Sequence, residues 1–267
     1  MLLLVLSGCS QDTIDQMKRL GLPPPASDRS PYMSSLWIGG WIAAAVVGLL
    51  VWGLILWCVV RYRRKRDDEV PVQMRYHLPI EMLYTIAPII VVAVFFFFTV
   101  QKQDKILEPV DHPDHHILVT AQQWSWTFSY LDEKAVGGKD VYDVGTPEHL
   151  PHLWLVKGES TKFTLHSPDV IHSFWVPSFY FKLDVIPGRD QSFSMTPTRE
   201  GVFDGRCAEL CGWGHSTMLF KVHIVDRAAF DRHMHKLEAK GQIGAPRGGE
   251  DSEVPDGLET ANEGGTR

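Results

Sequence analysis

The chain has 267 residues, of which 45% are hydrophobic and 22% charged, with a formal net charge of −6. That length accommodates one or two domains, and four cysteines are too few for a disulfide-built scaffold. Residues 101–267 carry 25 Asp/Glu against 17 Lys/Arg, a net of −8, which argues against nucleic acid as a partner and favours a cationic one.

Taken in order, the first 35 residues read as a signal or lipobox remnant and a linker. Leu6-Ser7-Gly8-Cys9 closes a short apolar opening and resembles the lipobox of bacterial lipoproteins. Cleavage before Cys9 and acylation of its thiol would anchor the mature N-terminus in membrane lipid. A secretory signal ordinarily has a longer apolar run and a basic segment before it, so the alternative is an unmodified Cys9. Residues 10–35 are polar and include Pro23-Pro24-Pro25, which suits an exposed linker.

Residues 36–60 contain no charge; at ~1.5 Å per residue the segment reaches ~37 Å, enough to cross a ~30 Å hydrocarbon layer. Cys58 within it reads as a small hydrophobe. The run ends in Arg61-Tyr62-Arg63-Arg64-Lys65-Arg66, a cytoplasmic signature that puts the N-terminus outside. A second span, Leu78–Val100, brings the chain back, so 36–100 is expected to be a two-helix transmembrane hairpin with both termini extracytoplasmic. Pro88 can kink the second helix. Glu81 near its start has two readings: a carboxylate that snorkels to the interface, or an intramembrane acid that relays protons.

From His115 the period changes to two. His116–Ala121 leads into Gln123-Trp124-Ser125-Trp126-Thr127-Phe128-Ser129-Tyr130, with aromatic residues at alternate positions, which reads as strand. Further strands are expected at about 152–157, 160–166, 171–176, 191–196, 201–206 and 217–225. Many short strands punctuated by Gly and Pro imply an all-β Greek-key sandwich or barrel, cupredoxin-like, over 101–240. Asp226 is expected to cap a short closing helix to about Lys240. The Gly- and acid-rich 241–267 reads as a disordered tail. His112, His115, His116, His149 and His152 fit no tight ligand spacing and read as solvated surface histidines.

Chemistry concentrates in Cys207-Ala208-Glu209-Leu210-Cys211-Gly212-Trp213-Gly214-His215-Ser216-Thr217-Met218, spaced C-x3-C-x3-H-x2-M. Thiolate and thioether are soft ligands, and imidazole suits copper, iron and zinc. A single Cys with two His and an axial Met would describe a blue-copper site, but the second cysteine permits two bridging thiolates. One more imidazole is needed, and His172 in Asp169-Val170-Ile171-His172-Ser173 is best placed. A small-loop disulfide or half of a zinc site are the simpler readings of the loop alone.

Together, the copper loop, D-V-I-H-S (169–173), K-L-D-V-I-P-G-R (182–189) and the membrane hairpin resemble subunit II of the haem–copper cytochrome c oxidases, which carries the binuclear CuA centre. The resemblance runs from the first span to about residue 225. It implies bridging thiolates from Cys207 and Cys211, terminal imidazoles from His172 and His215, and weak ligation by Met218 and the Glu209 carbonyl to two copper ions. It implies that the Glu209 carboxylate reaches a magnesium ion shared with subunit I, and that Lys182, Asp184 and Arg189 face that subunit. Trp124 becomes the residue through which electrons arrive, and Glu81 the mouth of a K-type proton channel. The tryptophan motif departs from the family at Ser125, where Tyr is usual, and 131–151 aligns poorly.

The function so implied is electron acceptance from a c-type cytochrome, soluble or tethered, and delivery to haem a in subunit I. Haem a and CuB there would reduce oxygen and translocate protons, with subunit III as a further partner. Three rival functions share parts of this pattern. A quinol oxidase subunit lacks the thiolates, and a nitrous oxide reductase adds a large His-rich catalytic domain. A membrane-anchored copper carrier or copper-delivery protein would bind one copper and need neither Glu81 nor the 182–189 motif.

Overall fold

The protein is described here by a computed structural model covering residues 10–64, 66, 70, 73–146 and 149–247. Cys9 and the tail beyond residue 247 lie outside the described residues. Two compact units emerge: residues 32–106, and a second unit of the preceding segment with residues from 107 onward.

The first unit is a helical hairpin of α2 (Ser30–Arg61) and α3 (Leu78–Leu107). Both are apolar around their whole circumference, with Leu49, Val60 and Phe96 all exposed, the signature of helices whose solvent is lipid. Their lengths of 32 and 30 residues correspond to roughly 45–48 Å, so each outlasts the hydrocarbon layer. α2 begins six residues before the expected span, and α3 continues seven residues past Val100. Lys102 Nζ lies 5.7 Å from the centre of the Tyr32 ring, so the start of α2 meets the end of α3. Pro88 sits inside α3.

The second unit is a sandwich of two five-stranded sheets. One has the order β3 (Lys139–Val144), β2 (Ser125–Glu133), β1 (His115–Gln122), β5 (Thr161–His166), β8 (Gln191–Met195). The other runs β4 (His152–Val156), β10 (Leu219–Val225), β9 (Gly201–Cys207), β6 (His172–Val176), β7 (Phe181–Val185). Pairing is antiparallel except for β1 with β5 and β10 with β4. The crossovers give a Greek-key, cupredoxin-like topology, as expected.

Between the sheets lies an aromatic core. Trp126, Phe128, Phe163, Phe174 and Phe220 are fully buried, and Phe174 stacks on Phe220 at 5.1 Å and Phe163 on Phe193 at 4.8 Å. Each such ring contributes about 1.5–3 kcal/mol by burial, plus about 0.5–1.5 kcal/mol for the ring pair. α4 (Arg227–Ala239) closes one end of the sandwich with Phe230, Met234 and Leu237 inward. Asp226 caps it by accepting the Ala229 N–H at 2.7 Å, the expected device.

Four expectations are corrected. The stretch 10–35 is not an exposed linker throughout: Ser10 caps a short α1 (Gln11–Lys18), and Ala26 is fully buried. Ala26 N–H donates to the Ser178 carbonyl at 2.8 Å, and the Ala26 carbonyl accepts from Thr198 N–H at 2.9 Å. The small side chains of Ala26 and Ser27 let this strap lie flat on the sandwich. The start of the tail is ordered as well, since Ile243 bridges to Val141 and covers the outer edge of β3. The expected 123–130 strand is interrupted, because Gln122 pairs with Ser125 and leaves Gln123-Trp124 as a two-residue hairpin turn.

The fourth correction concerns the histidines. His115 is buried between Glu133 at 2.9 Å and Glu159 at 3.0 Å. His152 Nδ1 lies 2.7 Å from His223 Nε2. Trp154 is stacked between His223 and His233, and burial pushes His233 down to about 3. His115 and His152 are therefore packing elements, held by Glu133, Glu159 and His223, whereas His112 and His149 are exposed as expected.

Gly205 of β9 tests the core directly. A Cβ there would stand 2.1 Å from the Phe220 ring, which is wedged among Trp126, Phe128 and Phe174. Gly205→Ala is expected to destabilise the sandwich by about 1–3 kcal/mol through overpacking, read as a lowered chemical-denaturation midpoint. An unchanged midpoint would show that the ring swings aside at no cost.

Candidate metal centre

Three donors are placed by strand ends, and the loop between two of those strands carries the rest. Cys207 is the last residue of β9, Met218 immediately precedes β10, and His172 opens β6. Because Phe174 pairs with Cys207, His172 falls beside the loop that joins β9 to β10. The loop is tied at both ends: Cys207 N–H donates to the Met218 carbonyl at 3.1 Å, and Ala208 N–H to the Ser173 carbonyl at 3.0 Å.

The ligating atoms converge. Cys207 Sγ is 3.9 Å from Cys211 Sγ and 3.9 Å from His172 Nδ1. Cys211 Sγ is 3.6 Å from His215 Nδ1 and 3.9 Å from Met218 Sδ. The Glu209 carbonyl oxygen is 3.2 Å from Cys207 Sγ. His172, Cys207, Cys211 and Met218 are buried, His215 is half-buried, and the Glu209 side chain is exposed. The two thiols are free, not a disulfide.

Electrostatics separate the two thiols. Burial opposes ionisation of Cys207, but hydrogen bonds from His172 and the backbone prevail and bring it down to about 6. Burial and the charge on Cys207 push Cys211 up to about 12. At this separation a charge on one sulfur opposes ionisation of the other.

Asp169 and Gln123 are functional neighbours that the sequence reading missed. Asp169 Oδ1 is 2.9 Å from His172 Nε2, which fixes the tautomer so that Nδ1 faces the thiols. Its other oxygen accepts the Gln123 N–H at 2.7 Å. Burial would raise the Asp169 carboxyl, but hydrogen bonds from His172, Gln123 and Val170 hold it below the usual carboxylate range. Gln123 Nε2 donates to the Cys211 carbonyl at 2.6 Å. The i, i+3 spacing of Asp169 and His172 was the available signal for the first; nothing local signals the second.

Trp124 Nε1 donates to that same Cys211 carbonyl at 3.1 Å, and the indole is 40% exposed. A Cβ on Gly214 would stand 2.5 Å from Trp124 Cγ, so glycine is what lets the ring lie on the loop. Trp126, by contrast, is fully buried and donates to the Met218 carbonyl at 3.3 Å. Lys182, Asp184 and Arg189 are exposed on and just after β7, the edge strand paired with the strand of His172. Glu81 lies far along the chain in the first turn of α3, where its Oε1 accepts the His77 N–H at 2.8 Å.

The family model described as cytochrome C oxidase subunit II, periplasmic domain, matches residues 116–225. A probable cytochrome c oxidase subunit 2 of Streptomyces avermitilis is 44% identical over 276 residues, covering 90% of this chain and 86% of the relative. The chain belongs to the cytochrome c oxidase subunit II family. A second subunit 2 relative, from Streptomyces coelicolor, is 42% identical over 90% of this chain and 86% of its own. The chain is also similar to the periplasmic domain of subunit II of cytochrome oxidase of Bradyrhizobium japonicum, with 28% identity and a TM-score of 0.43 over 49% of this chain and 98% of that one.

As a cytochrome c oxidase subunit II, the chain serves an oxidoreductase whose catalytic subunit is another chain, and its two apolar helices fit a membrane protein. The donor set fits the copper such a subunit carries. A structural zinc site is complete with four donors, whereas here a thioether and a carbonyl also close on the sulfurs, and soft sulfur donors favour copper.

Removing the carboxylate should loosen the centre from behind. Asp169→Ala is expected to lower copper affinity about 10- to 100-fold, measured by chelator competition, with the fold retained by circular dichroism. Affinity equal to wild type would reduce Asp169 to a loop-packing residue.

Proposed function

We propose that the convergence of Cys207, Cys211, His172 and His215 holds two copper ions, with Met218 and the Glu209 carbonyl as weak ligands. Cys207 and Cys211 would supply the two thiolates, and His172 and His215 their Nδ1 nitrogens. When bound, the copper pair supplies a one-electron acceptor whose charge is spread over two metals and two thiolates. The chain's own residues keep the geometry constant between redox states. Asp169 orients His172, the β9–β10 loop is pinned to Ser173 and Met218, and the packed core beneath resists movement.

In this reading a c-type cytochrome docks on the acidic extracytoplasmic domain and electrons arrive by way of Trp124. That role is supported by the indole's exposure and its bond to the Cys211 carbonyl. Electrons leave toward haem a in subunit I, which with CuB reduces oxygen; subunit III completes the assembly. The exposed Glu209 carboxylate is free to reach a magnesium ion at that interface, and Lys182 and Asp184 on an edge strand, with Arg189 just after it, are free to pair with subunit I. Both termini and the copper domain are extracytoplasmic, and the basic run after α2 is cytoplasmic. Acylation of Cys9 would add a lipid anchor.

The membrane-anchored copper carrier remains the rival, and copper stoichiometry separates the two. The purified protein is expected to hold two coppers per chain in a delocalised mixed-valence state seen by electron paramagnetic resonance. Cys211→Ser should abolish that signal. One copper per chain with a blue spectrum would overturn the binuclear assignment.

Glu81 is assigned to proton uptake from the cytoplasmic side. Its carboxylate also caps α3 through the His77 N–H, and Gln keeps an oxygen able to accept that bond. Glu81→Gln therefore preserves the cap while removing proton exchange. Oxygen consumption is expected to fall severalfold with reduction of the copper centre by the donor unaltered in stopped flow. Full turnover across pH 6–8 would leave Glu81 with the capping role alone.

A further inference from the structure

Trp213 is 92% exposed, more than any other large hydrophobic side chain among the described residues. It stands in the arm of the loop between Cys211 and His215, flanked by Gly212 and Gly214. That arm is held firmly while the ring itself projects. Gly214 is pressed against the Trp124 ring, His215 N–H donates to the Gly212 carbonyl at 3.2 Å, and Thr217 N–H to the Gly214 carbonyl at 3.1 Å. The Trp213 indole meets Trp124 edge-on, with centroids 6.3 Å apart and planes at 69°. An unbroken series of contacts thus runs from a fully exposed ring, through a partly exposed one, to the backbone of Cys211.

The loop has two arms that face different neighbours. The 208–210 arm is tied to β6 by Ala208, which bonds Ser173, beside the edge strand that carries Lys182 and Asp184. Residues 212–214 lie on the β1–β2 hairpin turn and Trp124. Trp213 therefore shares the face of Trp124, not the face assigned to subunit I. Tryptophan is the residue type most enriched at binding hot spots, since its large rigid surface is buried at small entropic cost.

We infer that Trp213 is the outermost docking contact for the electron donor, an indole platform for the apolar rim around the exposed haem edge of a cationic c-type cytochrome. This rests on the reading of Trp124 as the residue through which electrons arrive. Trp213 is a positioning residue: it sets where the haem edge comes to rest against Trp124, and the acidic domain supplies the long-range attraction.

The test uses the intact copper-loaded oxidase and a purified basic c-type cytochrome. Trp213→Ala is expected to weaken equilibrium binding by about tenfold (~1.4 kcal/mol) in surface plasmon resonance. KM should rise in parallel, with kcat at saturating donor, copper content and the copper spectrum unchanged. Trp213→Phe should recover most of the affinity, and the loss should persist at high salt because the contact is apolar. Unchanged binding and KM would overturn the proposal. So would loss of co-purifying subunit I, which would place the indole in an intersubunit contact. Trp124→Ala is the separate arm: it should slow electron arrival even at saturating donor. If it does not, the reading of Trp124 fails, while weakened binding in Trp213→Ala would still show a docking contact.

Discussion

One carboxylate joins the parts of the site that lie far apart in sequence. Asp169 accepts a hydrogen bond from His172 Nε2–H with one oxygen and from the Gln123 N–H with the other. It thereby links the start of β6, the β1–β2 hairpin turn and, through Gln123 Nε2, the carbonyl of Cys211. The imidazole that faces the thiols and the indole that rests on the loop are positioned by the same anion. A buried or half-buried carboxylate remains charged only when hydrogen-bond donors replace its water, and here His172, Gln123 and Val170 do so.

The sandwich makes this arrangement rigid. Donors at strand ends inherit the register of the sheet, and the register is fixed by which side chains point into the aromatic core. Phe174 and Phe220, on the strands that follow His172 and Met218, stack on each other at 5.1 Å, so the two halves of the donor set share one packed foundation. Trp126 adds a link from core to loop through the Met218 carbonyl. A site meant to exchange electrons gains from such stiffness, because each ångström of ligand movement adds to the reorganisation needed for transfer. The unequal thiols point the same way. With the Cys207 thiol lowered by its hydrogen bonds and the Cys211 thiol raised by burial and the charge beside it, a second negative charge is disfavoured unless a cation shares the site.

Most of the donor set was legible because five of its six residues fall within the twelve residues 207–218, with only His172 supplied from upstream; the spans were legible because a charge-free run of that length has few other uses. The closing helix was legible through its Asp226 cap. Features made by distant residues were not. β3 has the charged, short sequence Lys139-Asp140-Val141-Tyr142-Asp143-Val144 and is strand only because β2 pairs on one side and Ile243 bridges on the other. β7 carries the motif read as an interface segment, and its strand character comes from pairing with β6. The alternation of aromatics through 123–130 concealed a turn, since a two-residue hairpin preserves period two on its outgoing strand. Ala26 looked like linker because nothing in its neighbours reveals the turn at Ser178 and the segment at Thr198 that receive it. His115 and His152 looked solvated because Glu133, Glu159 and His223 are 18, 44 and 71 residues away.

The copper loop also divides the molecule's outward chemistry, and the division follows from glycine placement. On the 212–214 arm two glycines remove every Cβ that would separate the loop from Trp124, so aromatic surface can stand directly over the ligand backbone. On the 208–210 arm the residues are Ala208, Glu209 and Leu210, with the Glu209 carbonyl turned toward Cys207 and its carboxylate left exposed. A peptide whose carbonyl points inward sends its side chain elsewhere, so the inward Glu209 carbonyl and its outward carboxylate are one conformational choice. Apolar and aromatic contact on one arm suits a partner that binds and leaves, because it needs no buried ion pair to be broken at each turnover. A carboxylate beside the Lys182 and Asp184 edge suits a permanent partner, where paired charges can stay desolvated. The same twelve residues can thus hold a metal centre between a transient face and a lasting one.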